Sequence, residues 1–105
     1  MYCKLLYICG VDKRYEVQLS AFVQKRFRKL PDYIQKALRT WSTLIEEHGV
    51  STMRRIPGYH DEPLRGDRKG QRSSRLNRGY RVIYEELESG EIVVISVLEV
   101  NKHEY

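Results

Sequence analysis

Two turn signals close together constrain the last third of the chain more than any other feature. Asn77-Arg-Gly79 and Glu88-Ser-Gly90 each interrupt residues with strand character. Tyr80-Arg-Val-Ile-Tyr84 lies between them, and Ile92 to Leu98 follows as a nearly continuous apolar run. Short turns of this kind join antiparallel neighbours. The sequence therefore predicts a three-stranded antiparallel meander that begins at about residues 72–76, with the apolar run as a central strand covered on both faces.

The first half of the chain predicts one strand and two helices. Tyr15-Glu-Val-Gln-Leu19 alternates apolar and polar residues, and Ser20 suits the N-cap of a helix. Apolar residues then recur at helical spacing as far as Leu30-Pro31, and again from Asp32 to His48, where Gly49 is placed to end the second helix. An N-terminal strand, a helix hairpin and a meander predict an α+β fold, with helices on one face of a single sheet and one domain over residues 1–105.

The N-terminal residues and the cysteines bear on the compartment. We expect residues 1–13 to form an extra edge strand or a loose leader, because they lack the cleavage site of a signal peptide. Cys3 and Cys9 are too few and too close together to staple a fold, which favours a reducing compartment. No apolar stretch approaches the roughly 20 residues that span a bilayer. We therefore expect a cytoplasmic protein without a membrane partner.

The positive charge of the chain is concentrated in one segment. The formal net charge is +5, and residues 54–81 contain nine basic residues, mostly arginine, against three acids. The remainder of the chain is close to neutral. Part of this segment falls in residues 50–70, which are rich in Gly and Pro and predict a loop. Arginine is suited to bidentate contacts with phosphate, so the segment predicts a polyanionic partner, with RNA and DNA as the leading candidates.

Few kinds of chemistry fit the remaining residues. The three histidines are scattered, and no metal-binding, phosphate-loop or Gly-x-Ser-x-Gly motif is present. One set does suit phosphodiester transfer in RNA: Glu62 as base, Arg75 and Arg81 as a phosphate clamp, and His103 as acid. A carboxylate in a loop and a histidine near a terminus are, by themselves, most often solvated surface residues.

Several motifs in this segment occur together in one known family. Asp61-Glu-Pro-Leu-Arg-Gly66, Lys69-Gly-Gln-Arg-Ser-Ser-Arg-Leu76 and Gly79-Tyr-Arg-Val-Ile-Tyr84 follow in order, and the chain ends in Val97-Leu-Glu-Val-Asn-Lys-His-Glu-Tyr105. In order and spacing this pattern resembles the RelE/ParE toxin superfamily over about residues 15–105. The resemblance implies the α+β fold predicted above. It also implies a toxin of a bacterial toxin–antitoxin pair.

The resemblance to the RelE, YoeB and YafQ branch also implies an activity and its partners. That activity is metal-independent cleavage of mRNA in the ribosomal A site by attack of a 2′-hydroxyl, which inhibits translation. The implied partners are a cognate antitoxin protein, the ribosome with its rRNA, and mRNA. No small-molecule cofactor and no metal is implied.

Site residues follow from the resemblance by position. The implied catalytic residues are Glu62, Arg75, Arg81, His103 and Tyr105. The remaining basic and imidazole side chains nearby are expected to contact RNA: His60, Arg65, Arg68, Lys69, Arg72 and Lys102. The chain departs from the family in two places, since Ser73 stands where RelE has a second lysine and the spacing from His103 to Tyr105 differs from that in YoeB.

Two alternatives stay open at the level of sequence. The ParE branch of the superfamily inhibits DNA gyrase without nuclease activity, and it lacks the nuclease residues that are present here. The second alternative is a nucleic-acid-binding module without toxicity, which would bind RNA with a strong salt dependence but leave translation unaffected.

Overall fold

The computed structural model describes residues 14–102, so the expectations for residues 1–13, His103 and Tyr105 lie outside the described residues. The helices and strands of this part of the chain are β1 (Arg14–Leu19), α1 (Ala21–Arg26), α2 (Asp32–His48), α3 (Val50–Arg54), β2 (Glu62–Pro63), β3 (Gln71–Asn77), β4 (Tyr80–Ser89) and β5 (Ile92–Lys102). Single 3₁₀ turns occur at Phe27–Lys29, Pro57–Tyr59 and Gly66–Arg68.

The strands form one five-stranded sheet in the order β1-β5-β4-β3-β2. Strands β3, β4 and β5 are the predicted antiparallel meander. Strand β1 pairs parallel to β5, with Arg14 opposite Ile92 and Leu19 opposite Val97, and the short β2 pairs with β3 at the other edge. The predicted α+β fold is confirmed. The expectation of a loop throughout residues 50–70 is wrong, because α3 and β2 both form within that range.

Local sequence accounts for the helix ends. The Ser20 hydroxyl accepts a hydrogen bond from the backbone N–H of Val23 at 3.2 Å and so caps α1. Gly49 ends α2 with φ at +90°, where a side chain would be strained. A Cβ at this position would also lie 3.1 Å from the Tyr15 ring. Glycine is therefore required here twice over, by the backbone angle and by the close approach of β1.

The hydrophobic core lies between α2 and one face of the sheet. The apolar stripe of α2 is buried and packs against alternate residues of β4 and β5. Trp41 is fully buried, and its ring meets that of Tyr84 edge to face at 5.4 Å between centroids. No helix within residues 14–102 has the length and apolar character needed to cross a membrane.

Only one face of β5 is covered, so the prediction of a strand buried on both faces is wrong. Val93, Ile95 and Val97 are fully buried, whereas the residues between them are partly exposed. The reason is that the core lies on one side of the sheet, and successive side chains of a strand point to opposite sides. We call the side with Val82 and Tyr84 the covered face. The side with Ser73, Arg75 and Arg81 is the open face.

Candidate active site

Strand register brings three of the predicted catalytic residues together on the open face. Glu62 is in register with Ser73, and Arg75 is in register with Arg81. Because directly opposite residues in antiparallel strands point to the same side, Glu62 shares this face with both arginines. The two-residue turn after Asn77 and a shift of the register between Arg75 and Asn77 together place Arg75 opposite Arg81. The Asn77 side-chain oxygen accepts hydrogen bonds from the backbone N–H groups of Gly79 and Tyr80, at 2.9 and 3.0 Å.

Arg81 is held in place by two oxygen acceptors. Its Nε donates to the Ser73 hydroxyl at 2.5 Å, and its Nη2 donates to the backbone carbonyl of His60 at 3.3 Å. Ser73 is itself buried, so its hydroxyl has little freedom to move. The guanidinium is therefore oriented before any ligand arrives, with donors left over for an anion. Ser73, where the sequence departs from the family pattern, therefore contacts Arg81 directly through its hydroxyl.

Arg75 faces Arg81 and has no counterion among the described residues. Within residues 14–102 the Arg75 side chain has no hydrogen bond or ion pair, although Arg81 lies directly opposite. Like charges in opposite positions on a sheet repel each other. An anion such as a phosphate between the two guanidinium groups would offset that repulsion. The arrangement is that of an anion-binding pair.

Glu62 presents a free carboxylate at the edge of this pair. It is exposed, and no described residue forms an ion pair or side-chain hydrogen bond with it. In particular, it does not pair with Arg65 or Arg68. A carboxylate that is unpaired and reachable by solvent is able to accept a proton, as a general base requires.

Arg68 is engaged elsewhere on the open face. Its guanidinium bonds to the Glu99 carboxylate and donates to the Gln71 side-chain oxygen at 2.8 Å. Hydrogen bonds from Asn101 and Arg68 hold the pKa of Glu99 below its usual range. Arg68 was predicted to contact RNA, and here its charge is already balanced by an acid of β5.

Arg72 lies on the covered face, on the other side of the sheet from Arg75. Its Nε donates to Oδ1 of Asp61 at 2.6 Å, and the Asp61 side chain is fully buried. The Tyr84 hydroxyl donates to the other Asp61 oxygen at 2.5 Å, and Arg54 lies 3.7 Å from the same carboxylate. Burial and the bond to Asp61 raise the pKa of Tyr84 well above its ordinary value. We name Asp61, Tyr84, Arg72 and Arg54 the buried cluster.

The remaining predicted RNA contacts within the described residues are all exposed. His60, Arg65 and Lys69 are exposed in the segment between α3 and β3. Lys102 is exposed and in register with Tyr80, which places it on the side opposite to Arg81. His103 and Tyr105 lie outside the described residues. No group of three or more metal-ligating side chains occurs within residues 14–102.

Sequence reasoning missed the buried cluster and the role of Ser73. The only signal for the cluster is Asp61, an acid beside Glu62 in a basic segment. Its partners Arg72 and Tyr84 are 11 and 23 residues away in the chain. The signal for Ser73 is its place on the same strand face as Arg75, next to Arg81 on the neighbouring strand.

Comparison with known proteins gives similarity in structure. No model of a known protein family matches the sequence, and no curated protein matches it significantly. The RelBE2 toxin–antitoxin complex from Mycobacterium tuberculosis is 22% identical, covering 89% of this chain and 100% of the matched one, with a TM-score of 0.59. The YoeB/ParE toxin from Agrobacterium tumefaciens is 17% identical over 85% of this chain and 99% of the toxin, with a TM-score of 0.61.

A third similar structure is the DinJ–YafQ toxin–antitoxin complex from E. coli. It is 20% identical, covers 89% of this chain and 94% of the matched chain, and has a TM-score of 0.58. In all three comparisons most of both chains is aligned, so the likeness extends to the whole sheet and its helices. The chain therefore has the fold of toxins of the RelE, YoeB and YafQ kind.

Proposed function

We propose that this protein is the toxin of a toxin–antitoxin pair and cleaves mRNA on the ribosome. The observation that carries the proposal is the convergence of Glu62, Arg75 and Arg81 on the open face, where an unpaired carboxylate lies beside two adjacent cations. The structures with the same fold include toxins bound to their antitoxins, which supports a cognate antitoxin as partner. The ribosome and mRNA as partners are inferred from the family resemblance, and the cytoplasm as location is inferred from the cysteine content and the N-terminal sequence.

The proposed reaction is an intramolecular transfer of the phosphoryl group from the 5′-oxygen to the 2′-oxygen within the RNA. Glu62 accepts the proton of a ribose 2′-hydroxyl, and the 2′-oxygen attacks the adjacent phosphorus. Arg75 and Arg81 bind the phosphate oxygens and stabilise the negative charge that develops on them. His103 donates a proton to the departing 5′-oxygen. The products are a 5′-hydroxyl and a 2′,3′-cyclic phosphate, which yields a 3′-phosphate when water opens it.

The surrounding basic residues have a different proposed role. Arg65 and Lys69 are exposed beside the open face and are suited to contacts with backbone phosphates of mRNA or rRNA. Such contacts position the substrate without reading its sequence. Tyr105, in the tail after β5, is proposed to contact the substrate near His103.

A cleavage assay with purified ribosomes and a defined mRNA tests the proposal. We expect Arg81→Ala to lower the single-turnover rate by about 10²–10³-fold, since it removes a donor that stabilises transition-state charge. Glu62→Gln and His103→Ala are expected to lower it as well. Arg55→Ala is the matched control, because Arg55 is an exposed arginine whose side chain, within residues 14–102, bonds only to the carbonyl of Ser51.

Two results would contradict the proposal. One is a parent protein that leaves ribosome-bound mRNA intact but inhibits supercoiling by gyrase, as a ParE-like toxin would. The other is cleavage by Arg81→Ala and His103→Ala at the rate of the parent.

A further inference from the structure

Asp61 occupies an unusual position for a charged side chain in a basic segment. Its carboxylate is fully shielded from solvent on the covered face, while the neighbouring Glu62 is exposed on the open face. Burial of an ionised group is costly unless it is paired and hydrogen-bonded. Asp61 meets this condition through the Tyr84 hydroxyl at 2.5 Å and the Arg72 Nε at 2.6 Å. These two hydrogen bonds fix the Asp61 side chain and so restrain the backbone at this position.

The backbone on either side of Asp61 leads directly into the candidate active site. Side chains of neighbouring residues in an extended chain point to opposite sides of the sheet. An Asp61 side chain held on the covered face therefore places the Glu62 side chain on the open face. On the other side, His60 adopts φ of +43°, the sole positive φ outside glycine among the described residues. The carbonyl of His60 accepts a hydrogen bond from Arg81. One anchored residue thus links the proposed base and the proposed clamp.

We propose that Asp61 is a positioning residue that sets the open-face site from the covered face, through its bonds to Tyr84 and Arg72. It does not touch the RNA. It holds residues 60–62 so that the Glu62 carboxylate lies across from Ser73 and the His60 carbonyl orients Arg81. The inference rests on the proposed function, because its consequence for catalysis requires that Glu62 and Arg81 act on RNA.

The strands also explain why this anchor is effective. Tyr84 and Arg72 are in register with each other on β4 and β3, so both donors come from the interior of the sheet. The register partners of Glu62 and Arg81 lie on the same β3 strand, on its other side. A shift of residues 60–62 relative to β3 would therefore displace the Glu62 carboxylate and the His60 carbonyl that orients Arg81, while the backbone of both clamp arginines stays in the sheet. Displacement of a reacting group by about 1 Å is able to lower a rate by about 10²-fold.

Substitutions at Asp61 and Tyr84 test the proposal. We expect the single-turnover rate at saturating RNA to fall by about 10²-fold in Asp61→Ala and by a smaller factor in Asp61→Asn, which retains an oxygen acceptor for Tyr84. Tyr84→Phe is expected to fall between the parent and Asp61→Ala. Because none of these residues touches RNA in the proposal, the affinity for a non-cleavable mRNA with a 2′-deoxy nucleotide should change less than threefold.

Two controls distinguish a loss of positioning from a general loss of stability. Ile45→Val lowers stability from within the core without contacting residues 60–62, and we expect it to cleave at the rate of the parent. All rates are measured at a temperature where denaturation curves show each variant fully folded. Amide hydrogen exchange at residues 60–62 provides a readout that does not depend on cleavage, and it should accelerate in Asp61→Ala but not in Ile45→Val.

The outcomes separate this inference from the proposed function. If the parent does not cleave mRNA, the proposed function is wrong, and the exchange rates still decide whether Asp61 anchors the segment. If the parent cleaves and Asp61→Ala cleaves equally well when folded, the positioning role is overturned. Unchanged exchange at residues 60–62 in Asp61→Ala also overturns it, as does a loss of rate that Ile45→Val reproduces.

Discussion

The covered and open faces of the same strands treat charge in opposite ways. On the covered face, Arg72 and Tyr84 share the buried carboxylate of Asp61. On the open face, Arg75 and Glu62 have no ion-pair or hydrogen-bond partner for their side chains among the described residues. Burial makes an unpaired charge costly, so charged side chains on the covered face must be paired. On the open face, water solvates unpaired charges, so they stay available to a ligand. The difference separates residues that hold the fold from residues free to bind and react.

The largest effect is expected from breaking the covered face at its centre. Trp41 is fully buried, packs against Tyr84 and donates a hydrogen bond to the Ser74 hydroxyl at 3.1 Å. Trp41→Ala should lower the free energy of unfolding by about 3–5 kcal/mol, because it leaves a large cavity in the core and removes the hydrogen bond that the Ser74 hydroxyl accepts. Urea denaturation followed by circular dichroism measures this. A loss below about 1 kcal/mol would show that the two faces do not differ in packing as described.

Two arginines of β3 provide the sharpest matched pair. Arg72→Ala removes the nearer of two cationic partners of a fully buried carboxylate and should lower the free energy of unfolding by about 2–4 kcal/mol. Arg75→Ala removes a cation that faces another cation, so unfolding should change by less than about 0.5 kcal/mol or become slightly harder. Equal losses in denaturant titrations of the two variants would break the comparison.

The buried cluster also predicts a dependence on alkaline pH. Because the pKa of Tyr84 is raised in the folded protein, the folded state holds this proton more tightly than the unfolded state. The resulting stability is present below the ordinary tyrosine pKa of about 10 and is lost as pH rises further, by up to about 1.4 kcal/mol per pH unit.

Tyr84→Phe is the variant that isolates this effect. Its free energy of unfolding should decline less steeply than that of the parent between pH 10 and 11, values set by the ordinary tyrosine pKa of about 10. Denaturant titrations at several pH values measure the two slopes. Parallel slopes would show that Tyr84 does not retain its proton in the buried cluster.

The smallest effect is expected at the margin of the open face. Lys69 is exposed in the segment between β2 and β3 and has no described side-chain partner. Lys69→Gln should reduce the slope of log affinity against log salt by about one and weaken binding about equally for all RNA sequences. Filter binding to a non-cleavable RNA over a range of salt concentrations measures this slope. A sequence-dependent loss would indicate a base contact instead of a phosphate contact.

Local chemistry made much of the fold predictable. Helix α2 runs from Asp32 to His48 as its apolar stripe and Gly49 predict, and Ser20 caps α1. The opposition of Arg75 and Arg81 depends on the turn after Asn77 together with a shift of the register between Arg75 and Asn77. Each of these depends on residues close together in the chain. The predicted roles of Glu62, Arg75 and Arg81 stay predictions, as do those of His103 and Tyr105.

Contacts between distant residues were not predictable in the same way. The parallel pairing of β1 with β5 joins strands that are separated by most of the chain, and no local pattern specifies it. Arg72 and Arg75 look alike in sequence, and only the alternation of β3 within a sheet covered on one side distinguishes them. Arg68 and Glu99 meet across 31 residues, so their ion pair depends on how the segment after β2 crosses the sheet.

The central claim is that the open face cleaves RNA with charged residues that have no ion-pair partner within residues 14–102. The most direct test is the single-turnover cleavage rate of ribosome-bound mRNA with and without the 2′-hydroxyl at the cleaved nucleotide, for the parent and Arg81→Ala. We predict cleavage only by the parent and only with the hydroxyl present, leaving a 2′,3′-cyclic phosphate. Cleavage of the 2′-deoxy message, or cleavage by Arg81→Ala at the parental rate, would contradict the account.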